Sequence, residues 1–391
     1  MRTGMLSVLC AMLSISAVCG EQTATNPVSK TFAVPLKESG NHPSIELRIA
    51  GRGPYRFLFD TGSGADLILD RDLAEELGLK PTGTRRIGDP NTPDALEAKI
   101  VTIDRVDVGG LVLRSVDALS WERNYKHMAD FPRGVVGLGL FGPRLVTLDY
   151  GRGELRAASG DLPEPDGRTV LAASFEDGIP SLLIDVAGVA YRAHLDSGSS
   201  GFLGLPLDAA KTLPLEAPPI QVGRARTASG DYAVLESRLR GSVRVGAINI
   251  ENPKVHFSNL PQANLGFDLL RSLIVTVDRK NARVRLVSTG KPLAPSDRPR
   301  LGIMIHGLKD GRLPIEQVAE GSPAETAGLR AADQIVSLNG RTVAEMSASE
   351  LGVAMMARPL AIALLRDGET VELTIDATKA APSEAKNPLT P

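Results

Sequence analysis

The chain contains very little cysteine. Both of its cysteines, Cys10 and Cys19, lie within the first 20 of its 391 residues. Beyond residue 20 there is no thiol to form a disulfide or to bind zinc, which excludes a disulfide-stapled fold and a cysteine-ligated metal site. If the chain is exported, the absence of disulfides fits a bacterial periplasm better than a disulfide-rich secreted protein.

Aromatic residues are also scarce, and the net charge is small. Aromatic residues make up 4% of the chain and the formal net charge is −2, whereas 42% of residues are hydrophobic. The core must therefore be built mainly from Leu, Val, Ile and Ala. A net charge near zero gives no electrostatic reason to expect a nucleic acid or an acidic membrane as partner. The short basic cluster Arg85-Arg86 is interpreted as solvated surface.

The histidines do not follow the spacing of a metal motif. The five are His42, His127, His194, His256 and His306. Without cysteine partners they predict no metal site, and we expect no cofactor.

The N-terminus has the pattern of a secretory signal peptide. Arg2 precedes an apolar stretch from Met5 to Val18, and small residues follow. We expect cleavage after Gly20 to remove residues 1–20, which predicts an exported, periplasmic protein. The stretch is short for a membrane span, so no integral span is expected in the mature chain. The alternatives are a lipid anchor at Cys19 or secretion.

Two segments are built alike around an aspartate. An apolar run leads into Asp60-Thr61-Gly62-Ser63 in one half of the chain, and into Asp196-Ser197-Gly198-Ser199 in the other. This pattern places each carboxylate at the tip of a loop between two buried strands. Two such loops can face each other, and like charges about 3 Å apart do not both ionise readily, so the pair would share one proton.

These segments resemble the active-site signatures of aspartic peptidases of the retropepsin and pepsin type. The resemblance implies that Asp60 and Asp196 are catalytic, with a water between them attacking a peptide carbonyl and with no metal or covalent intermediate. His194 should face the same side of its strand as Asp196. We interpret it as a structural histidine, with electrostatic tuning of the carboxylates as the alternative.

Six further residues are expected to support the two aspartates. They are Thr61, Gly62, Ser63, Ser197, Gly198 and Ser199. The glycines would let the backbone turn tightly where a side chain would clash. In the resembled family the hydroxyl residues after the aspartates bond across the two loops, and the serines can donate to the outer carboxylate oxygens.

The landmarks around the two aspartates follow the same order. Pro43 and Pro180 open apolar runs before them, and glycine-bearing runs at Gly137 and Gly266 follow. An internal duplication, with lobes over residues 30–160 and 165–290, explains this order. The polar stretches Pro81–Pro93 and Gly223–Asp231 lie where the resembled family carries substrate-covering flaps. Neither flap is expected to dominate, because the pepsin-type flap tyrosine has no counterpart between residues 81 and 93.

A third unit covers residues 298–377. A capped helix near Ser322, a tight Asn339-Gly340 turn, a helix after Ser347 and a closing hairpin resemble a PDZ domain. The resemblance implies strand addition of a peptide, with its terminal carboxylate on the loop Leu301-Gly302-Ile303. The alternative is a domain that packs on the peptidase and binds nothing. Residues 378–391 are predicted to be disordered.

The sequence thus predicts a mainly β protein: a bilobal, duplicated acid-protease β-barrel fold followed by a small α+β PDZ domain. The expected function is exported aspartic endopeptidase activity on peptides or unfolded proteins, with a possible protein C-terminus at the PDZ domain. The alternative is a non-hydrolytic peptide-binding protein that uses the same cleft. A third possibility is a peptidase whose PDZ domain gates the cleft.

Overall fold

The computed structural model describes residues 31–38, 42–87, 96–121, 132–176, 178–227, 230–293, 301–305, 307–357 and 359–376. The predicted signal peptide and the C-terminal tail lie outside the described residues. Within these ranges the chain is mainly β, in agreement with the sequence. No helix among them is long and apolar enough to cross a membrane.

The N-terminal part of the described chain is built from strands β1 to β11. They are β1 (Thr31–Pro35), β2 (Lys37–Glu38), β3 (Pro43–Ile49), β4 (Arg52–Phe59), β5 (Leu67–Asp70), β6 (Pro81–Ile87), β7 (Leu96–Val108), β8 (Leu111–Trp121), β9 (Gly134–Val136), β10 (Leu145–Asp149) and β11 (Glu154–Ala158). We call the sheet β2-β3-β4-β9-β5-β8-β7-β6 the N-lobe. Pairing of β3 with β7 closes this sheet into a barrel.

The next part of the described chain repeats this arrangement with strands β12 to β23. They are β12 (Val170–Glu176), β13 (Ile179–Val186), β14 (Val189–Asp196), β15 (Leu203–Pro206), β16 (Ile220–Thr227), β17 (Gly230–Arg238), β18 (Ser242–Val245), β19 (Ile248–Glu251), β20 (Lys254–Ser258), β21 (Ala263–Gly266), β22 (Leu273–Asp278) and β23 (Arg283–Ser288). We call the strands β13 to β21 the C-lobe. Its order β14-β21-β15-β20-β17-β16 corresponds to β4-β9-β5-β8-β7-β6 of the N-lobe.

A layer of strands shared by both lobes joins them. Its order is β1-β11-β10-β22-β23-β12, so β10 of the first repeat pairs directly with β22 of the second. At the centre Thr147 lies opposite Thr276, its equivalent in the other repeat, and their hydroxyl oxygens are 3.0 Å apart. The ladder therefore ties the two repeats together along their axis of approximate symmetry.

Alternation of apolar residues explains why these segments form half-buried strands. In β3, Ile45, Leu47 and Ile49 are at most 1% exposed, while Glu46 and Arg48 between them face solvent. The core of both lobes is one continuous cluster, mainly of Leu, Val and Ile, as the low aromatic content indicates.

Strands β24 to β29 form a separate sheet after the lobes. They are β24 (Ile303–Ile305), β25 (Leu313–Val318), β26 (Gln334–Leu338), β27 (Arg341–Thr342), β28 (Leu360–Arg366) and β29 (Glu369–Ile375). The order is β24-β25-β26-β28-β29, with β24 at one edge and β27 beside β26. Asn339 and Gly340 both have positive φ, which confirms the predicted tight turn.

The described α-helices are short. They are α1 (Arg71–Glu76), α2 (Phe267–Leu270), α3 (Pro323–Thr326) and α4 (Ala348–Met355), and the 3-10 helices cover Leu138–Phe141, Leu207–Lys211 and Val343–Glu345. The Ser322 hydroxyl accepts the N–H of Glu325 to cap α3, and Ser347 and Glu350 form a capping box at α4. The helices predicted near Ser322 and after Ser347 are confirmed.

The packing of the N-lobe can be tested at Gly137, where two backbone segments approach closely. A Cβ at Gly137 would lie 2.2 Å from the carbonyl oxygen of Ala65, whereas a Cβ at Gly83 would meet only the Ile100 side chain, at 3.6 Å. We expect Gly137→Ala to lower the free energy of unfolding by about 1–3 kcal/mol and the control Gly83→Ala to change it by less than about 0.5 kcal/mol. Denaturant unfolding measures both, and equal stability of the two variants would contradict the packing.

Candidate active site

Each predicted catalytic aspartate lies where an inner strand of its lobe ends. Asp60 directly follows β4, and Asp196 is the last residue of β14. The preceding residues, Phe59 and Leu195, are fully buried in the core. Because neighbouring residues in a strand point to opposite faces, this anchoring turns both aspartates away from the core.

Four hydrogen bonds between the lobes hold the two aspartate loops together. The Thr61 hydroxyl donates to the carbonyl of Leu195 at 2.6 Å and accepts the N–H of Ser197 at 2.9 Å. In the opposite direction, the Ser197 hydroxyl donates to the carbonyl of Phe59 at 2.8 Å and accepts the N–H of Thr61 at 3.0 Å. We call this set the cross-lobe grip. Thr61 and Ser197 are at most 2% exposed, so water does not compete for these bonds.

The glycines after the grip residues lie directly against the opposite aspartates. A Cβ at Gly62 would be 2.6 Å from Cγ of Asp196, and a Cβ at Gly198 would be 2.4 Å from Cγ of Asp60. Neither glycine has a positive φ. The predicted tight turns are present, because the N–H of Ser63 donates to the carbonyl of Asp60 at 3.3 Å and the N–H of Ser199 donates to the carbonyl of Asp196 at 3.2 Å. Glycine is required in these turns because a side chain would clash with the opposite loop.

The two carboxyl groups receive different donors. Oδ1 of Asp60 accepts the N–H of Gly62 at 2.8 Å and that of Gly198 at 3.2 Å. Oδ1 of Asp196 accepts the N–H of Ser199 at 3.0 Å, and its Oδ2 accepts the side-chain amide of Asn264 at 2.7 Å. The pair is therefore asymmetric although the two loops have nearly the same sequence.

The Ser63 hydroxyl does not reach the carboxylate. It donates to the carbonyl of Ala65 at 2.9 Å and accepts the N–H of the same residue at 3.3 Å. A serine hydroxyl readily bonds nearby backbone in this way, which corrects the expected donation to Asp60. Ser199 contacts Asp196 as predicted, but through its backbone N–H.

Electrostatics distinguishes Asp60 from an ordinary carboxyl group. Desolvation within the protein raises its pKa well above the usual value, and the neighbouring Asp196 raises it further. The N–H groups of Gly62 and Gly198 oppose this shift without cancelling it. The raised pKa favours the protonated form of Asp60 beside Asp196, as in a pair of carboxyl groups that share one proton.

His194 lies beside the site on the C-lobe. Burial lowers its pKa, against the opposing effect of Asp196 and Glu176. Its Nε2 contacts the side-chain amide of Gln262. The lowered pKa favours the neutral imidazole.

Sequence reasoning missed Asn264. It pairs with His194 in the ladder between β14 and β21, and it corresponds to Val135, which pairs with Leu58 in the N-lobe. A signal was present, because a polar residue stands in one repeat where the other has an apolar one. Only the register of the strands shows that this position adjoins an aspartate.

Hairpins lie at the predicted flap positions in both lobes. β6 pairs with β7, and β16 pairs with β17. The segments 88–95 and 228–229 between these strands are outside the described residues. The predicted PDZ loop leads into β24 of the separate sheet. Within it, Gly302 has φ of 77°, and a Cβ on this residue would be 2.2 Å from Cβ of Ser322. Among the described residues no cluster of His, Cys, Asp and Glu is arranged to hold a metal ion.

Comparison with known proteins supports both parts of this architecture. Residues 45–142 match the model of the aspartyl protease family, and residues 293–365 match the model of the PDZ domain. The chain is also similar to a protein of Chlamydia trachomatis serovar D described as a probable periplasmic serine endoprotease DegP-like. The two are 36% identical over 67 residues, which is 17% of this chain and 14% of that relative. The chain therefore matches only about a seventh of the relative's length.

The cross-lobe grip can be tested with an isosteric pair of variants. Thr61→Val keeps the shape but removes the hydroxyl, which leaves the carbonyl of Leu195 and the N–H of Ser197 without their partner. Each buried group left without a partner costs about 1–3 kcal/mol, so we expect the two to lower the free energy of unfolding by about 2–6 kcal/mol. The control Thr61→Ser keeps both bonds and should lose less than about 1 kcal/mol. Equal losses in denaturant unfolding would show that the bonds do not stabilise the fold.

The raised pKa of Asp60 makes stability depend on pH. The charged form is disfavoured in the folded state, so stability is complete below the unfolded pKa and is lost as pH rises through the folded pKa. Asp60→Asn cannot ionise and avoids this loss. We expect its Tm to exceed that of the wild type by about 2 °C or more at neutral pH, with the difference vanishing in acid. Thermal unfolding across pH measures it, and a lower Tm for the variant at neutral pH would refute the assignment.

Proposed function

We propose that this chain, which joins an aspartyl-protease-like domain to a PDZ domain, is an exported aspartic endopeptidase. The observation that carries the proposal is the cross-lobe grip, which brings Asp60 and Asp196 together from two lobes of the same chain. Hydroxyl groups buried at this depth are costly unless they are bonded, so the arrangement is specific rather than incidental. The match to the aspartyl protease family supports the reaction class.

In the proposed mechanism the two carboxyl groups take different roles. Asp60, whose pKa is raised, carries the proton and hydrogen-bonds the carbonyl oxygen of the scissile peptide bond. Both oxygens of Asp196 accept N–H donors, and Asp196 takes a proton from the attacking water. The water oxygen bonds to the carbonyl carbon. Collapse of the tetrahedral intermediate then breaks the C–N bond while the leaving nitrogen gains a proton from the pair.

The substrate is proposed to bind as an extended strand between the lobes. Hairpins β6–β7 and β16–β17 occupy equivalent places in the two lobes and extend toward the segments predicted as flaps. An extended peptide offers its backbone N–H and C=O groups to such edges. Peptides or unfolded proteins are therefore the substrate class, and no partner chain is needed to complete the aspartate pair.

The PDZ domain is proposed to bind the C-terminus of a peptide or protein. Its match to the domain family covers residues 293–365. β24 lies at the edge of its sheet, and Leu301, Gly302 and Ile303 lead into that edge. Strand addition at a sheet edge, with the terminal carboxylate on loop N–H groups, is the binding mode of such domains.

The proposed location is the periplasm. The signal-like pattern of residues 1–20 supports export. The short match to a relative described as periplasmic agrees with this location. Attachment through a lipid at Cys19 and secretion are the alternative outcomes, which fractionation of cells and mass measurement of the mature N-terminus distinguish.

The activity is tested with the chain from Glu21 onward and a diverse peptide mixture, from acidic to neutral pH. Asp60→Asn and Asp196→Asn serve as variants that keep the shape of each site residue. We expect the wild type to cut and both variants to lose at least about a thousandfold in turnover, because the acid and the base act as a unit. Mass spectrometry identifies the fragments.

Two results would overturn the proposal. Cleavage that persists in both aspartate variants would place the chemistry elsewhere. No cleavage at any pH, even with C-terminal peptides added for the PDZ domain, would favour the non-hydrolytic peptide-binding alternative. Peptide affinity of the wild type would then measure that function directly.

A further inference from the structure

Each lobe carries a row of side chains beside its aspartate, and the two rows occupy equivalent positions. The first row begins at Leu58, two residues before Asp60, and the second begins at His194, two residues before Asp196. Residues two apart in a strand point to the same face. Each row therefore lies on the face that carries the aspartate, and the opposite face forms the core of the lobe.

Backbone pairing defines the other members of each row, because directly paired residues point to the same face. Across β4, β9, β5, β8 and β7, the N-lobe row consists of Leu58, Val135, Ile68, Leu119 and Ile100. Across β14, β21, β15, β20 and β17, the C-lobe row consists of His194, Asn264, Gly204, His256 and Glu236. The rows cross corresponding strands in the same order, so they match position by position.

The N-lobe row is entirely apolar. Ile68, Leu119 and Val135 are 5–8% exposed and form a cluster separate from the core of the lobes. Leu58 and Ile100 are half-buried and pack against this cluster. The side of the site that belongs to Asp60 is therefore apolar, and half-buried Leu58 is the member of the row that lies nearest the aspartate in sequence.

The C-lobe row has a polar or absent side chain at every position. Asn264 donates to Asp196 at 2.7 Å, and Nε2 of His256 lies 3.0 Å from Oε2 of Glu236. Glu236 also lies 3.9 Å from Nζ of Lys254. Oδ1 of Asn264 is buried and has no hydrogen-bond partner among the described residues. An acceptor beside Asp196 therefore has no donor within the described part of the chain.

We propose that the two rows select different classes of substrate side chain on the two sides of the bond that is cut. The N-lobe row receives an apolar substrate side chain on one side of the bond that is cut. The C-lobe row receives an uncharged hydrogen-bonding side chain, such as Ser, Thr or Asn, on the other side. The inference rests on the proposed endopeptidase function and specifies its substrate class.

The chemistry of the C-lobe row favours an uncharged donor over the other classes. The carboxylate of Glu236 already has His256 and Lys254 beside it, and burial lowers the pKa of His194, which favours its neutral form, so the row presents no excess charge. An apolar side chain placed there would leave the buried Oδ1 acceptor of Asn264 without a donor, whereas a side chain with a hydroxyl or amide could supply one. A site built for a hydrogen bond rejects the analogue that lacks it far more strongly than an apolar pocket rejects an added hydroxyl.

The test begins with a peptide library cut by the full chain, in which both residues flanking each cut are identified by mass spectrometry. We expect apolar residues enriched on one side and Ser, Thr or Asn on the other. Peptides that differ only by Thr or Val on the polar side then give a ratio of kcat/KM values. We expect this ratio to favour Thr at least about tenfold in the wild type.

Variants copy the N-lobe residues into the C-lobe row. Asn264→Val introduces the residue type of Val135, and His194→Leu introduces that of Leu58. We expect each to lower the Thr-to-Val ratio, and Asn264→Val to lower it by about tenfold. The ratio compares two peptides in one enzyme, so a uniform loss of turnover through Asp196 does not change it. The matched control Leu58→His should alter selection on the other side of the bond and leave the Thr-to-Val ratio unchanged.

The outcomes separate the inference from the function on which it rests. If the wild type cuts but selects the same residue class on both sides, or if the C-lobe variants leave the ratio unchanged, the inference is wrong and the peptidase stands. If nothing is cut, the affinities of the Thr and Val peptides for the wild type and for Asn264→Val are measured instead. A preference for Thr that Asn264→Val abolishes would then support the recognition without the hydrolysis, and equal affinities would overturn it.

Discussion

Two buried hydroxyl groups determine the position of everything else at the site. Thr61 and Ser197 each exchange two hydrogen bonds with the backbone of the opposite lobe, and these bonds are shielded from water. The hydroxyl groups donate to the carbonyls of Phe59 and Leu195, the residues immediately before the two aspartates. They accept from the backbone N–H groups of the grip residues themselves, Thr61 and Ser197. A small change in the spacing of the lobes would therefore break several bonds at once, so the separation of the carboxyl groups is fixed as a unit.

The shared sheet supplies the rigid frame behind the grip. β10 and β22 pair across the axis of approximate symmetry, and the strands end at the buried residues Asp149 and Asp278. Each of these carboxylates accepts a backbone N–H from the residue three positions later, Arg152 in one repeat and Asn281 in the other. The same turn is thus built twice, and the frame holds the two lobes in a fixed relation while the site is assembled on its other side.

The elements that depend on local pattern were predictable from the sequence. The alternation around Ile45, the capping residues Ser322 and Ser347 and the Asn339-Gly340 turn act within a few residues of themselves. The repeated order of landmarks also indicated that the two aspartates would face each other. The details that the sequence did not reveal arise from approach between distant segments. Contact of Gly62 with the opposite aspartate is one of them.

The sequence also does not reveal which partner a polar group binds when several are within reach. The sequence pattern places Ser63 near a carboxylate but does not reveal that the backbone of Ala65 is closer. Asn264 shows the opposite case. It is one polar residue in an apolar run, and only strand register connects it to Asp196. The residue type shows which side chains could hydrogen-bond an aspartate. Which of them do so depends on contacts between segments that are distant in the sequence.

Both lobes belong to one polypeptide, and this has a consequence for how the site can change. In a two-fold homodimer, one substitution appears on both sides of the axis, so the two halves of a central cleft must remain alike. Here Val135 and Asn264 occupy equivalent positions but are encoded separately, and each can vary without the other. Two lobes joined in one chain can therefore carry different side chains on the two sides of the site.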